Sequence, residues 1–261
     1  MPRFSANLAY LFAELPFMER FAAAAGAGFK AVEIQFPYSY PVKIIKDELE
    51  RTGLVLDLIN MPAGDWAGGE RGLAVLPGRD EEFCRAVDAA LEYAEALEVY
   101  KINCLSGIAA PCDEEPANME RMTVRLAYAA DRLAERGRIL LAEGINNFDM
   151  PGFWLNGIAL ARELFAGVAR PNILYQFDIY HAARMGEDIG RCIRENYDII
   201  GHFQLADAPG RGCPGSGGID FPALFRLIDE LGYPGRIGLE YVPGPDTAAS
   251  LSWVGEYGLS L

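Results

Sequence analysis

Short apolar runs rich in Val, Ile, Leu and Phe alternate along the chain with longer segments whose apolar residues recur three and four apart. The first pattern predicts strands buried on both faces and the second predicts amphipathic helices. Their regular alternation is the sign of parallel βα units. Strands are expected at Arg3–Leu8, Ala31–Phe36, Leu54–Asn60, Tyr100–Leu105, Ile139–Glu143, Ile173–Asp178, Ile200–Leu205 and Arg236–Tyr241. Asp80–Leu97 (DEEFCRAVDAALEYAEAL) typifies the helices, with acidic residues crowded into its first turn, where they face the positive end of the helix dipole. Glycine turns such as Ala25-Gly26-Ala27-Gly28 and Leu231-Gly232-Tyr233 then stop the helices.

An open doubly wound sheet alternates in the same way, but eight units in 261 residues favour closure, because a (β/α)8 barrel typically takes about 250 residues. The expected fold is therefore α/β, a (β/α)8 TIM barrel, with residues 1–261 as a single domain. Two connections are long, and both follow strands: Met61–Gly78 (MPAGDWAGGERGLAVLPG) and Ala206–Gly218 (ADAPGRGCPGSGG). In a barrel both lie on the C-terminal face, where active sites are built, and loops of this length often act as lids or binding loops.

Polar residues interrupt the apolar runs at telling places. Strand five reads ILLAEGIN, six ILYQFDIYH, seven IIGHFQLAD and eight RIGLEYVPG, so each ends on one polar group: Glu143, Asp178, Gln204 and Glu240. A carboxylate ending a strand that is buried on both faces must meet either solvent or a site. Alternation places Glu240 in phase with Gly238, Glu143 with Leu141 and Asp178 with Gln176. Three carboxylates and one amide oxygen would then converge at the barrel mouth. Their mutual repulsion calls for a divalent cation, and all-oxygen ligation favours Mg²⁺ or Mn²⁺ over Zn²⁺. A single acid of this kind could equally be held by a Lys or Arg; it is the set of four that points to metal.

There are two histidines. His181 follows Asp178 in D-x-x-H and could donate to a substrate oxygen, whereas His202 lies one layer below Gln204 and reads as a satisfied interior residue. Arg211, in the glycine-rich loop after strand seven, could clamp a carboxylate. Glu33, Lys101, Trp66, Glu70 and Arg71 lie in or beyond strand ends and could line the pocket. Gly215, Gly217 and Gly218 form no phosphate loop, since the strand–GxxxxGK[ST]–helix context is absent. The sequence supports no Ser–His–Asp arrangement and no Cys–His pair.

Composition narrows the partners. An apolar fraction of 51% with 23% charged residues suits a globular core. A net charge of −14 repels phosphate backbones and anionic lipid, so the expectation is no nucleic acid and no membrane partner. Five scattered cysteines (Cys84, Cys104, Cys112, Cys192, Cys213) without a C-x-x-C pair suggest a reducing compartment. The start of the chain lacks a secretory pattern, and the expectation is a cytoplasmic protein. Nothing in the sequence fixes oligomeric state, and a homo-oligomer stays open.

The chain resembles the hydroxypyruvate isomerase family, within the wider xylose-isomerase-like group of barrels. The resemblance rests on RFSANL, VEIQFPY, NMPAGDWAGGERG with PGRDEEF, KINCL, LLAEGIN, QFDIYHAARM, GHFQLADAPGRGCPGSGGID and GLEY, and the NMPAGDWAGGERG loop is its most specific mark. It implies a divalent metal on Glu143, Asp178, Gln204 and Glu240, with the two glutamates as the acid–base pair. It further implies aldose–ketose isomerisation of a small hydroxy-oxo acid, hydroxypyruvate to 2-hydroxy-3-oxopropanoate, and His181 and Arg211, read from their own positions, would then orient the substrate. Sugar epimerases of the wider group usually carry histidine where Gln204 stands. The chain departs from the family pattern at Glu143-Gly144-Ile145-Asn146-Asn147, where proline and histidine are usual, and at Gly218, where glutamate is frequent. These departures bear on substrate rather than on the ligands. Isomerisation of a 2-oxo-tetronate, 3-epimerisation of a ketose and non-catalytic sugar-acid binding are the alternative readings.

Overall fold

A computed structural model describes residues 1–110 and 114–261, so Cys112 lies outside the described residues. The strands are β1 (Phe4–Asn7), β2 (Ala31–Ile34), β3 (Val55–Asn60), β4 (Lys101–Cys104), β5 (Ile139–Glu143), β6 (Ile173–Asp178), β7 (Ile200–Leu205) and β8 (Ile237–Leu239). Each pairs in parallel with the next, and β8 returns to β1 with Phe4 opposite Ile237 and Ala6 opposite Leu239, which closes the barrel. The expected TIM-barrel fold is thus the observed one. Strands five to seven have the expected bounds. The first four and the last are shorter by one to three residues because ladder pairing stops early, although the Glu240 N–H still donates to the Leu205 carbonyl at 3.0 Å.

The helices are α1 (Phe17–Ala27), α2 (Val42–Thr52), α3 (Asp80–Ala96), α4 (Glu115–Ala134), α5 (Ile158–Val168), α6 (Ile179–Arg184), α7 (Ile189–Asn196), α8 (Phe221–Glu230), α9 (Thr247–Ser250) and α10 (Ser252–Glu256). They form the outer layer, and the main core lies between them and the strands. Phe4 on β1, for example, meets Phe225 of α8 and Trp253 of α10 edge-on at 5.6 and 5.5 Å between ring centroids, a favoured geometry for aromatic pairs. Gly28 ends α1 with a φ of 110°, a left-handed value that a side chain would oppose. Among the described residues no helix is long and apolar enough to cross a membrane, and Cys84, Cys104, Cys192 and Cys213 are free thiols.

The two long loops are held by buried or half-buried acids. After β3, Glu70 accepts the Asp65 N–H at 2.6 Å and pairs with Arg79 at 2.5 Å. After β7, the buried Asp207 carboxylate accepts four backbone N–H groups, from Ala208, Gly215, Gly217 and Ile219, at 2.8 to 3.1 Å. Arg211, at the turn of that loop, has a φ of 53°, and its carbonyl accepts the Val242 N–H at 2.7 Å.

Candidate active site

The C-terminal ends of β5, β6 and β8 bring Glu143, Asp178 and Glu240 to one mouth, each at most 5% exposed. A cavity of about 90 Å³ opens above them, lined by Glu143, Glu240, His181, Arg211, Tyr10, Gln35, Trp66 and others. The carboxylates are individually fastened. Glu143 Oε2 accepts Asn103 Nδ2 at 2.9 Å. Glu240 accepts Asn7 Nδ2 at 2.9 Å on one oxygen, and Gln35 Nε2 at 3.1 Å and Arg211 Nη2 at 2.5 Å on the other. Asp178 caps the start of α6 with Oδ1, which takes the Tyr180 N–H at 2.8 Å. Its Oδ2 is buried without a hydrogen-bond partner, an arrangement that is destabilising unless a cation completes it.

His181 joins this cluster more closely than its place beyond the strand end suggested. Its Nε2 stands 3.6 Å from Asp178 Oδ2 and 3.9 Å from Glu143 Oε1, and atoms of Glu143, Asp178 and His181 all lie within 4.8 Å of one another. Asn146 fixes the ring. Its Oδ1 accepts the N–H groups of Phe148 and Asp149, so Nδ2 is left to donate to His181 Nδ1 at 2.6 Å. The His181 proton therefore sits on Nε2 and points at the carboxylates.

Electrostatics follow from burial. Desolvation pushes the Glu143 carboxyl well above its ordinary value, and the charges of Glu240 and Asp178 add to this while Arg211 and Asn103 oppose it. Burial likewise raises Glu240 to about 8 against the pull of Arg211. His181 is lowered to about 4, chiefly by burial, and so is neutral at physiological pH. Arg211 is the local cation. Burial works against its charge, but Glu240 and Asp178 more than offset this and hold its pKa above the usual value. Its guanidinium lies over the rings of Tyr10 and Tyr180, with centroids at 4.8 and 4.9 Å, and reaches 3.7 Å from Asp178 Oδ2.

The remaining sequence candidates separate. Gln204 sits beside Asp178 as its register partner; its Oε1 accepts Gln176 Nε2 at 2.6 Å and its Nε2 donates to Glu33 at 2.9 Å. Glu33 and Lys101 do not line the cavity but lie in the barrel interior with His202. Glu70 is committed to Arg79, whereas Trp66 does line the cavity and Arg71 stacks on it at 4.3 Å. Sequence reasoning missed Asn7, Gln35, Asn103 and Asn146. For Asn7 and Asn103 the signal was available, since each is a polar residue inside an otherwise apolar strand run, as the four candidates are.

The family model described as "Xylose isomerase-like TIM barrel" matches residues 21–257. The chain is 44% identical to hydroxypyruvate isomerase of Escherichia coli, over 98% of this chain and 100% of that protein. It is 41% identical to 2-oxo-tetronate isomerase of Cupriavidus necator, over 98% and 99%. Among solved structures, that of an AP endonuclease, family 2, from Brucella melitensis superposes with a TM-score of 0.96 at 42% identity, covering 98% and 99% of the two chains. The chain belongs to the xylose isomerase-like TIM-barrel family, in the part of it that holds the hydroxypyruvate and 2-oxo-tetronate isomerases. It is an enzyme, and its class is isomerase.

Proposed function

We propose that this isomerase interconverts hydroxypyruvate and 2-hydroxy-3-oxopropanoate with the help of Mg²⁺ or Mn²⁺, held by Glu143, Asp178, Gln204 and Glu240. The observation that carries the metal is the buried Oδ2 of Asp178, which has no hydrogen bond, among carboxyls that Arg211 neutralises in part. The donor set is chemically suited to a hard ion, since it consists of carboxylate and amide oxygens. When bound, such an ion supplies Lewis acidity that makes a C–H next to a carbonyl easier to ionise.

The proton inventory suits a 1,2-shift. One of Glu143 and Glu240 takes a proton from C3 of hydroxypyruvate, the other delivers one to C2, and the hydroxyl proton on O3 passes to O2, so that product and substrate have the same atoms. Burial raises both carboxyls in the metal-free protein, and a bound cation would favour the ionised form that a base needs. The charge of Glu240 adds to the rise at Glu143. Neutral His181 offers Nε2–H to a substrate oxygen, and Arg211, with five N–H donors, can bond a substrate carboxylate while keeping Glu240.

The relative at 41% identity favours a second reading, isomerisation of a 2-oxo-tetronate at the same residues. Gln204, where sugar epimerases of the wider group usually carry histidine, speaks against ketose 3-epimerisation. The negative net charge speaks against a nucleic acid substrate. Incubation with hydroxypyruvate and with a 2-oxo-tetronate in D₂O, with Mn²⁺ or Mg²⁺ added, should give product carrying deuterium by NMR. Failure to turn over the three-carbon acid while the four-carbon acid reacts would shift the assignment, and failure with both would remove it.

A further inference from the structure

Beneath the mouth, a second set of charged groups fills the barrel interior. Glu33 and His202 are fully buried and Lys101 is 7% exposed. Glu33, Asp57 and His202 lie close enough to suggest a metal cluster of their own. The place of a cation is already taken, however, because Lys101 Nζ stands 2.8 Å from Asp57 Oδ2 and 2.9 Å from His202 Nδ1.

That lysine fixes the hydrogen-bond direction of everything above it. An ammonium group has donors only, so His202 Nδ1 must accept and the ring carries its proton on Nε2. His202 Nε2–H then donates to Glu33 Oε1 at 2.9 Å, an oxygen that also accepts Ser5 Oγ–H at 2.6 Å. The other carboxylate oxygen, Oε2, is left to face Gln204 at 2.9 Å. Facing an acceptor, Gln204 can present only its NH₂. We propose that Glu33 is a positioning residue which, by taking the Gln204 NH₂ while Gln204 Oε1 accepts Gln176 Nε2 at 2.6 Å, fixes the amide with its oxygen towards β6, the strand that carries Asp178. Lys101 and His202 set the direction in which it acts.

Room for this carboxylate is made on the far strand. A Cβ at Gly238 would collide with both Glu33 oxygens, so the absence of a side chain on β8 belongs to the same device. A glutamine is otherwise a poor choice of ligand, because its two ends are nearly isosteric and one of them repels a cation. An amide pinned by its nitrogen has only oxygen to offer, and the Oε1 lone pair that Gln176 does not take is the one open to a cation.

The consequence for metal rests on the ligand set proposed above; the amide orientation itself does not. In wild-type protein labelled with ¹⁵N-glutamine and stripped of metal, the Gln204 side-chain NH₂ should exchange with solvent slowly, as a buried, carboxylate-bonded group. Glu33→Gln, which can meet Gln204 with either end of its own amide, should speed that exchange. It should also weaken Mn²⁺ binding, measured calorimetrically, by about tenfold to 100-fold, as changes to outer-shell partners do, with a melting temperature in chelator close to wild type. Fast exchange in wild type, or Mn²⁺ affinity equal to wild type in a folded E33Q protein, would overturn the proposal. If wild type binds no Mn²⁺ at all, the metal reading fails instead, and the exchange measurement decides the Glu33 bond alone, as it does if E33Q does not fold.

Discussion

Arg211 Nη2 lies 2.5 Å from Glu240 Oε1, and the guanidinium that makes this contact also lies over the rings of Tyr10 and Tyr180. A planar, delocalised cation can stack on both faces while bonding at its edge; an ammonium cannot. Arg211→Lys should therefore keep the charge and lose the geometry. Steady-state kinetics should show KM for the hydroxy-oxo acid raised by about tenfold, the scale of one charge-assisted hydrogen bond, with kcat less affected. An unchanged KM would remove Arg211 from substrate binding.

The two glutamates should respond differently to the same substitution. In Glu143→Gln the amide oxygen can keep the Asn103 bond, and a buried repulsive charge is lost, so the metal-free protein should melt no lower than wild type. In Glu240→Gln both carboxylate oxygens already accept donors, so the new NH₂ faces one of them and stability should fall. Both should lose turnover by about 10²-fold or more, the usual contribution of general acid–base catalysis. Wild-type turnover in either would show that its carboxyl moves no proton.

Metal-free protein should lose stability as pH rises through the neutral range. Glu240 is raised from 4.5 to about 8 and Glu143 is raised as well. Between those limits the unfolded chain has released protons that the folded chain keeps, and stability falls with pH by up to about 1.4 kcal/mol per unit for each group. His181, lowered from 6.5 to about 4, acts in the opposite sense below 6.5. The effect should thus be cleanest from about pH 6.5 to 8 and should vanish with Mn²⁺, which favours the ionised carboxylates. Thermal melts with and without chelator across that window decide it; a flat metal-free profile counts against the raised carboxyls.

Asp207 offers a test of the loop that carries Arg211. Its two oxygens take four backbone N–H groups, and Asp207→Asn puts an NH₂ against donors. A loss of about 2 to 3 kcal/mol is expected from disrupted bonds to a charged acceptor, together with a higher KM as Arg211 loosens. Limited proteolysis should then cut within residues 206–218, and resistance equal to wild type would show the loop is held by other means.

How far the sequence could be read depended on the range of the interaction. Strand ends and the strand-end polar residues were legible because burial on both faces leaves a period that one carboxylate breaks conspicuously, as at Glu143 and Glu240. Glu33 and Lys101 were misplaced towards the pocket, since strand alternation gives the face of a residue but not its depth in the barrel. His202 was read correctly as interior. What its neighbours do for Gln204 was not readable, because it depends on strands β2, β4 and β7 meeting across the barrel. Asn7 and Asn103 were overlooked for a simpler reason: neutral amides raise no charge conflict that demands an explanation.

The bond from Asn7 to Glu240 joins residues 233 positions apart, on the strand that opens the barrel and the strand that closes it. A ribosome making this chain has therefore built every strand between them before Glu240 can find its amide, and non-local closure of this kind is slow. Nascent and part-folded chains carry Glu143 and Asp178 without their third acid or its anchor. The reactive constellation exists only once the circle is complete, so that an unfinished molecule holds the pieces of the chemistry without the means to perform it.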